Sequence, residues 1–428
     1  MKKLIASMLT LCMCAAMLGG CSSKPVTTKV GSSAPAKVVE IDFPTFWVGV
    51  NTETSWFNEM EASFNKQYSN KYKVVVEQIP GDQNYIDKMK VMYASDSLPD
   101  VIATSGYNLI DMMKTKFVDL APYLDKDPGW KTHISSQGLA VNSRDGKVYG
   151  IPIDKQMIGY FYNKVLFKKA GIDQVANTWD ELFAQANKLK AVGITPFSMD
   201  TADSGWVTSL MLGAMIGQDE AGEQFMNKVQ PKSYNTTEFV DAAAMIQKIF
   251  ENYTTSDAIG GKYENAASNF FAGKTAIIAN GSWMVSNFYD TTMSPKGFGD
   301  EIGVAAFPGG VMYNSGKIGF NIAAKTQDKI DASIAFVKFM TSDESQKACL
   351  ELNGSIPDSP TVTSDKVKPQ VQAVIKLGNT ATRSINDFQS LWYANVVDAI
   401  SAEYPLLAKG VITPTQFASA LTAVAAKN

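Results

Sequence analysis

The sequence predicts an α/β protein folded as two domains with substantially parallel sheets. Three observations carry that reading. Short apolar strands alternate with amphipathic helices along the chain, which argues for helix-covered sheets. The body left after an N-terminal leader runs to roughly 390 residues, a length that one hydrophobic core does not normally serve. Cysteine adds nothing to its stability: of Cys12, Cys14, Cys21 and Cys349 only the last falls in the body, so packing must hold it together.

The chain opens as a secretory leader. Lys2 and Lys3 precede an apolar run at 4–18 (LIASMLTLCMCAAML). That run is short of the roughly 20 residues needed to span a bilayer, and with its flanks it reads as a signal peptide over 1–20. It ends in LGGC, which resembles a bacterial lipobox with Cys21 as the lipidated residue. Acyl chains at ~0.8 kcal/mol per buried methylene would hold the chain on a membrane by that anchor alone. Residues 21–37 then form a tether, because Ser, Thr, Pro and Lys dominate it and cannot build a core. No later apolar run approaches transmembrane length. The body is expected on the extracytoplasmic face of the cell membrane.

Next comes a helix, SWFNEMEASFNKQY (55–68), with Trp56, Met60 and Phe64 on one stripe, and then a strand, KYKVVVEQIP (71–80). A buried strand is expected at 100–104 in SLPDVIAT. YGIPIDKQMIGYFYNK (149–164) reads as a strand whose middle carries Asp154, Lys155 and Gln156. NTWDELFAQANKLKAVGI is a helix with Thr178 at its N-cap, Glu181 completing a capping box and Gly193 stopping it. GKTAIIANG (273–281), IGVAAFPGG and GKIGFNIAAK are further strands. KIDASIAFVKFMTS and SINDFQSLWYANVVDAISAEY are late helices.

Several chemistries can be excluded. AGKT (272–275) lacks the first P-loop glycine, since Ser268 stands in its place, and its helix-then-strand order is reversed. DKDPGW (125–130) begins like a calcium loop but puts Gly129 and Ser136 where ligands belong. The one histidine, His133, rules out His-dependent triads and multi-His metal sites. A formal charge of −3, made more acidic by loss of the leader lysines, argues against a nucleic-acid partner. No cofactor is called for. Paired carboxylates leave a glycoside hydrolase open.

Aromatic residues make up 11% of the chain, and several tryptophans sit beside polar turns. Indole faces pack against the C–H faces of pyranose rings, leaving hydroxyls to Asp, Asn and Gln, a use that suits an apolar pocket with a few placed polar groups. Trp56, Trp130 and Trp179 read as packing residues. Trp392 shares a helical stripe with Phe388 and Val396, which places it in the core. Pattern alone leaves Trp47, Trp206 and Trp283 open between core and site.

SLPDVIA, DGKVYGIPIDKQMIGYFYNKVLFKKAGI, NTWDELFAQANKLKAVGITPF, FFAGKTAIIANGSW and GFNIAAK occur in this order. Together they resemble the extracellular solute-binding proteins of family 1, the sugar-binding lipoproteins of ABC importers, similar in plan to maltose-binding protein. The resemblance covers the chain after residue 38. It implies a two-lobe periplasmic-binding-protein fold of type II, with lobe one at 38–150 plus 274–322 and lobe two at 155–270 plus 326–428. The ligand cleft lies between the lobes, and the 149–164 run sits where the chain first crosses.

Carried over by residue, the resemblance makes Trp283 and Trp392 stacking platforms and Trp206 a third on the facing lobe. It places Trp47 and Asn51 in the cleft, and Asp154 and Gln156 on its floor bonding sugar hydroxyls. Thr104, Ser105 and Asp82 are further candidates, although helix capping explains Asp82 equally well. Asn321 stands where the family often has a small residue. The implied activity is non-enzymatic capture of a carbohydrate, oligosaccharides favoured, by a monomer that delivers it to permease subunits. A peptide or polyamine ligand is the alternative. With Arg144 and Arg383 the only arginines, an anionic ligand is disfavoured.

Overall fold

The structure, a computed structural model, describes residues 37–49 and 51–428. The signal peptide, Cys21 and the tether up to residue 36 lie outside the described residues. Among the described residues no helix is long and apolar enough to cross a membrane.

The first body forms around strand Val39–Thr45, which runs parallel to Tyr72–Gln78. Helix Thr54–Gln67 joins them and buries Trp56, Phe57, Met60 and Phe64, the stripe read from the sequence. Strand Val101–Ala103 follows and pairs antiparallel with Phe320–Ile322. Helix Gln327–Met340 closes this body, with Phe336 edge-on to Phe43 at 5.3 Å and to Phe64 at 5.2 Å. Helix Asp343–Asn353 follows, and its Ser345 carbonyl accepts the Trp56 indole N–H at 3.0 Å.

The second body is built on a seven-stranded sheet. Its central strand, Asp154–Asn163, is ten residues long and buried over nearly all its length. Strands Thr275–Gly281, Ile302–Ala305, Val311–Gly316 and Ile356–Pro357 all pair antiparallel with it. Parallel pairs occur further out, between Thr195–Phe197 and Thr275–Gly281 and between Val311–Gly316 and Arg383–Ile385. The sheet is therefore mixed rather than mainly parallel. Helical connections suggested parallel neighbours, but the connection leaving Asn163 returns at Thr195, and strand Thr275–Gly281 lies between the two.

Pairing also departs from the expected lobe division. Residues 275–316 belong to the sheet of the second body, not to lobe one. Helix Gln327–Met340, expected in lobe two, packs on the first body, and helix Asp343–Asn353 packs on elements of both. Period and turn signals give each element; they do not say which sheet it joins.

Helix Trp179–Ala191 carries the expected capping box, with the Thr178 hydroxyl accepting from Glu181 N–H and Glu181 returning to the Thr178 amide. The expected helix over 384–404 is broken. Phe388–Leu391 is a single turn, Trp392 is extended (φ −88°, ψ 166°), and a new helix runs Ala394–Ala408.

The bodies are joined where chain segments cross side by side. Ile151 bridges Phe320, Asn321 Nδ2 donates to the Tyr149 carbonyl at 2.8 Å, and Asp358 N–H donates to the Ile153 carbonyl at 3.3 Å. Asn142 ties the crossings together, donating to the Lys317 carbonyl at 2.9 Å and accepting from Gly319 N–H at 3.0 Å. Gly319 is required here, because a Cβ would collide with the Ile151 carbonyl.

Candidate functional site

At the crossing, Lys317 Nζ lies 2.9 Å from Asp154 Oδ2, with the two side chains 8% and 6% exposed. A charge pair this deep is costly to desolvate unless its geometry is good. Burial pulls the Lys317 ammonium down, but Asp154 and Glu53 outweigh it and hold its pKa above the usual value. The polar interruption in the 149–164 run is thus explained: Asp154 is the partner of the crossing lysine.

Around this pair lies a cavity of about 10 Å3, roughly the room of one water. Trp47, Glu53, Ser105, Asp154, Lys317 and Cys349 are among its walls. Trp47 is 3% exposed and wedged among Phe43, Trp56 and Phe320, with no partner for its indole N–H. Burial raises the Glu53 pKa, only partly offset by Lys317 and by the Thr52 hydroxyl, which donates to Glu53 at 2.8 Å. Burial likewise drives the Cys349 thiol up, leaving it a poor nucleophile.

Two aromatic platforms stand beside this floor. Trp283 opens the turn Ser282–Phe288 after strand Thr275–Gly281, and Trp206 opens helix Trp206–Ile216. Both are half-buried, their rings 6.4 Å apart at 41°. They are neighbours on the second body rather than facing across the cleft as expected. Lys317 Nζ lies 5.6 Å over the Trp283 ring, joining the platforms to the floor. Trp206 is fixed from beneath by Asp200, whose Oδ1 accepts the Thr208 N–H at 3.1 Å within the first helical turn. Burial pushes the Asp200 carboxyl up to about 7, against the opposing amides and hydroxyl of that turn.

Asp82, exposed as a residue, starts helix Asp82–Ala94. Desolvation, Glu53 and Glu264 together raise its carboxyl to about 6, with Lys317 opposing. It makes no capping bond, since Gly81 takes the N-cap. Glu264 belongs to helix Tyr263–Phe271 of the second body, so the charge of an acid on the second body is felt by Asp82 on the first.

The remaining candidates separate by what they touch. Gln156 is 2% exposed, donates to Asp387 Oδ2 at 3.4 Å and leaves its own Oε1 unpartnered. Asn51 Oδ1 accepts the Glu53 N–H at 3.0 Å and shapes the turn that presents Glu53. Thr104 donates to the Tyr107 carbonyl at 2.6 Å and is spent on a loop. Asn321 belongs to the crossing. Trp392 is 1% exposed, stacked on Phe388 at 5.0 Å and boxed by Tyr234 and Phe225. The structure places it in the core, as its apolar stripe had suggested, and not at the cleft as a platform.

Sequence reading missed Glu53, Lys317, Glu264 and Asp200. Lys317, the one charge between Gly316 and Gly319, carried a signal that could have found it. Among the described residues no group of three His, Cys, Asp or Glu side chains is arranged to hold a metal ion.

The model of the bacterial extracellular solute-binding proteins matches residues 49–347 of this chain. The chain belongs to that family. Among curated members of known name, this solute-binding protein is 28% identical over 309 residues to the multiple sugar-binding protein of Streptococcus mutans, covering 68% of this chain and 70% of that one. It is 24% identical over 306 residues to the arabinooligosaccharide-binding protein of Bacillus subtilis, covering 69% and 66%. In fold it is similar to a chitin oligosaccharide binding protein, with a TM-score of 0.82 at 20% identity over 91% of this chain and 98% of that one. It is also similar to a Streptococcus pneumoniae solute-binding protein in complex with the blood group A-trisaccharide, with a TM-score of 0.77 at 24% identity over 90% and 99%. These likenesses establish the two-lobe solute-binding fold.

Proposed function

We propose that this solute-binding protein captures a carbohydrate, with oligosaccharides favoured, between its two bodies and delivers it to the permease subunits of an ABC importer. It does so without catalysing a reaction, anchored to the outer face of the membrane by lipid on Cys21. The observation that carries the reading is the half-buried Trp206–Trp283 pair beside a floor of Asp154, Lys317 and Glu53. Indole faces supply apolar area for the C–H face of a sugar ring, and carboxylates and an ammonium supply acceptors and donors for its hydroxyls. The sugar-binding names of the relatives support the same class.

The crossing segments act as the hinge. Rotation about the crossing opens and closes the bodies over a solute held between them, closed forms being populated before it binds and favoured by it. Energy for transport would come from a separate ATPase subunit. A second reading, a cationic solute such as a polyamine, is favoured by one feature, the mutual charge influence of Glu53, Asp82 and Glu264.

A thermal-shift screen of residues 22–428 against mono- and oligosaccharides and polyamines, with each mixture checked for cleavage, tests the proposal. A ligand at 100 times its Kd adds ~2.7 kcal/mol, a visible rise in Tm. A shift with intact sugar supports carbohydrate capture. Cleaved sugar means a hydrolase, and a shift with polyamines alone moves the assignment to cationic solutes.

A further inference from the structure

From the floor, where Ser105 lines the cavity, the loop at 104–109 that follows strand Val101–Ala103 runs on to a second meeting of the bodies. Ser105 and Gly106 take positive φ of +50° and +108°, a conformation costly for serine. The turn sends Tyr107 and Asn108 toward the second body. Asn108 N–H donates to the Gln389 carbonyl at 3.2 Å, and the Ser390 hydroxyl donates to the Gly106 carbonyl at 3.0 Å. Tyr107 is only 8% exposed although it sits on a loop. Its hydroxyl donates to Asp398 Oδ1 at 2.9 Å, on helix Ala394–Ala408. Lys90, on helix Asp82–Ala94, completes the group, with Nζ 3.0 Å from Asp398 Oδ2 and 5.4 Å over the Tyr107 ring.

We propose that Lys90, Tyr107 and Asp398 form a latch that holds the two bodies closed and sets how slowly a captured solute escapes. Its ligand-related part rests on the hinge-closure reading above. These residues do not line the floor cavity, so their effect on binding runs through the closed state. Opening the bodies exposes the Tyr107 ring and takes both partners from Asp398. The Lys90–Asp398 pair is partly exposed, at 21% and 45%, and contributes little by itself. The phenol–carboxylate bond is charge-assisted and its donor is buried, so Tyr107 is the main element of the latch.

The test uses the full chain with Tyr107→Phe, Asp398→Asn and the exchange pair Lys90→Asp with Asp398→Lys. Two quantities are read: the small-angle scattering radius without ligand, and the dissociation rate of chitotriose and raffinose as probes. The latch predicts that Tyr107→Phe and Asp398→Asn speed release roughly three- to tenfold. The unliganded chain should expand and associate no more slowly than wild type, and the exchange pair should release more slowly than Lys90→Asp alone. Release rates and radius equal to wild type in both single variants would overturn the proposal. If neither probe binds, the radius alone decides the latch: expansion supports it and an unchanged radius overturns it. The carbohydrate reading then stands or falls by the wider screen.

Discussion

Lys317 reaches across the crossing to Asp154 at 2.9 Å while standing 5.6 Å over the Trp283 ring. One side chain thereby links the crossing to the Trp283 ring, so the joint between the bodies and the surface proposed to hold solute share a charge. Removing only the lysine strands a buried carboxylate. Lys317→Met should cost on the order of 3–5 kcal/mol in urea unfolding, and adding Asp154→Leu should return most of it. A loss no larger than that of a surface lysine would show that the pair is not buried in solution.

Trp392 separates the core from the cleft. Its ring is enclosed by Phe388, Tyr234 and Phe225. Trp392→Ala should lower unfolding stability by about 3–5 kcal/mol, and the protein that remains folded should bind solute with unchanged affinity. Calorimetric titration of that variant checks the second half.

Asp200 gives the fold a pH signature. Its carboxyl is raised from 3.8 to about 7, first by burial. The folded state therefore holds the proton more tightly than the unfolded chain. This contribution is fully present below pH ~3.8 and is lost as pH rises toward 7. Asp200→Asn should flatten that part of the stability profile, measured by denaturant midpoints from pH 4 to 8. A wild-type slope left unchanged in the variant would contradict the assignment.

Gly319 packs its Cα against the Ile151 carbonyl in the neighbouring crossing strand. Gly319→Ala must push the crossings apart, at roughly 1–3 kcal/mol by the usual cost of overpacking. Scanning calorimetry should show a lower Tm, whereas Gly171→Ala, with open space at its Cβ, should show only the smaller effect of its positive φ.

Much of the fold was legible locally. The Thr178–Glu181 capping box, the Trp56–Met60–Phe64 stripe and the strand at 275–281 follow from spacing that neighbouring residues alone determine. Sheet membership was not legible, because Ile277 and Ile322 look alike in sequence and differ only in which distant strand accepts them. The site divides the same way. Trp206, Trp283 and Asp154 stand out as candidates beside turns or within a polar break, while Glu53 and Glu264 gain meaning only through the charge they exert on Asp82 in the folded chain. Trp392 misled because a resemblance assigns a role by position, and here Tyr234 and Phe225 cover the ring.

The most direct test of the account is calorimetric titration of the best-shifting sugar into wild type, Trp206→Ala and Trp283→Ala. The account predicts one site in wild type and an affinity loss of roughly tenfold or more, about 1.4 kcal/mol per tenfold, in each variant at a temperature where it is fully folded. Wild-type affinity in both variants would contradict it, because the sugar would then be held somewhere other than on the Trp206–Trp283 platform.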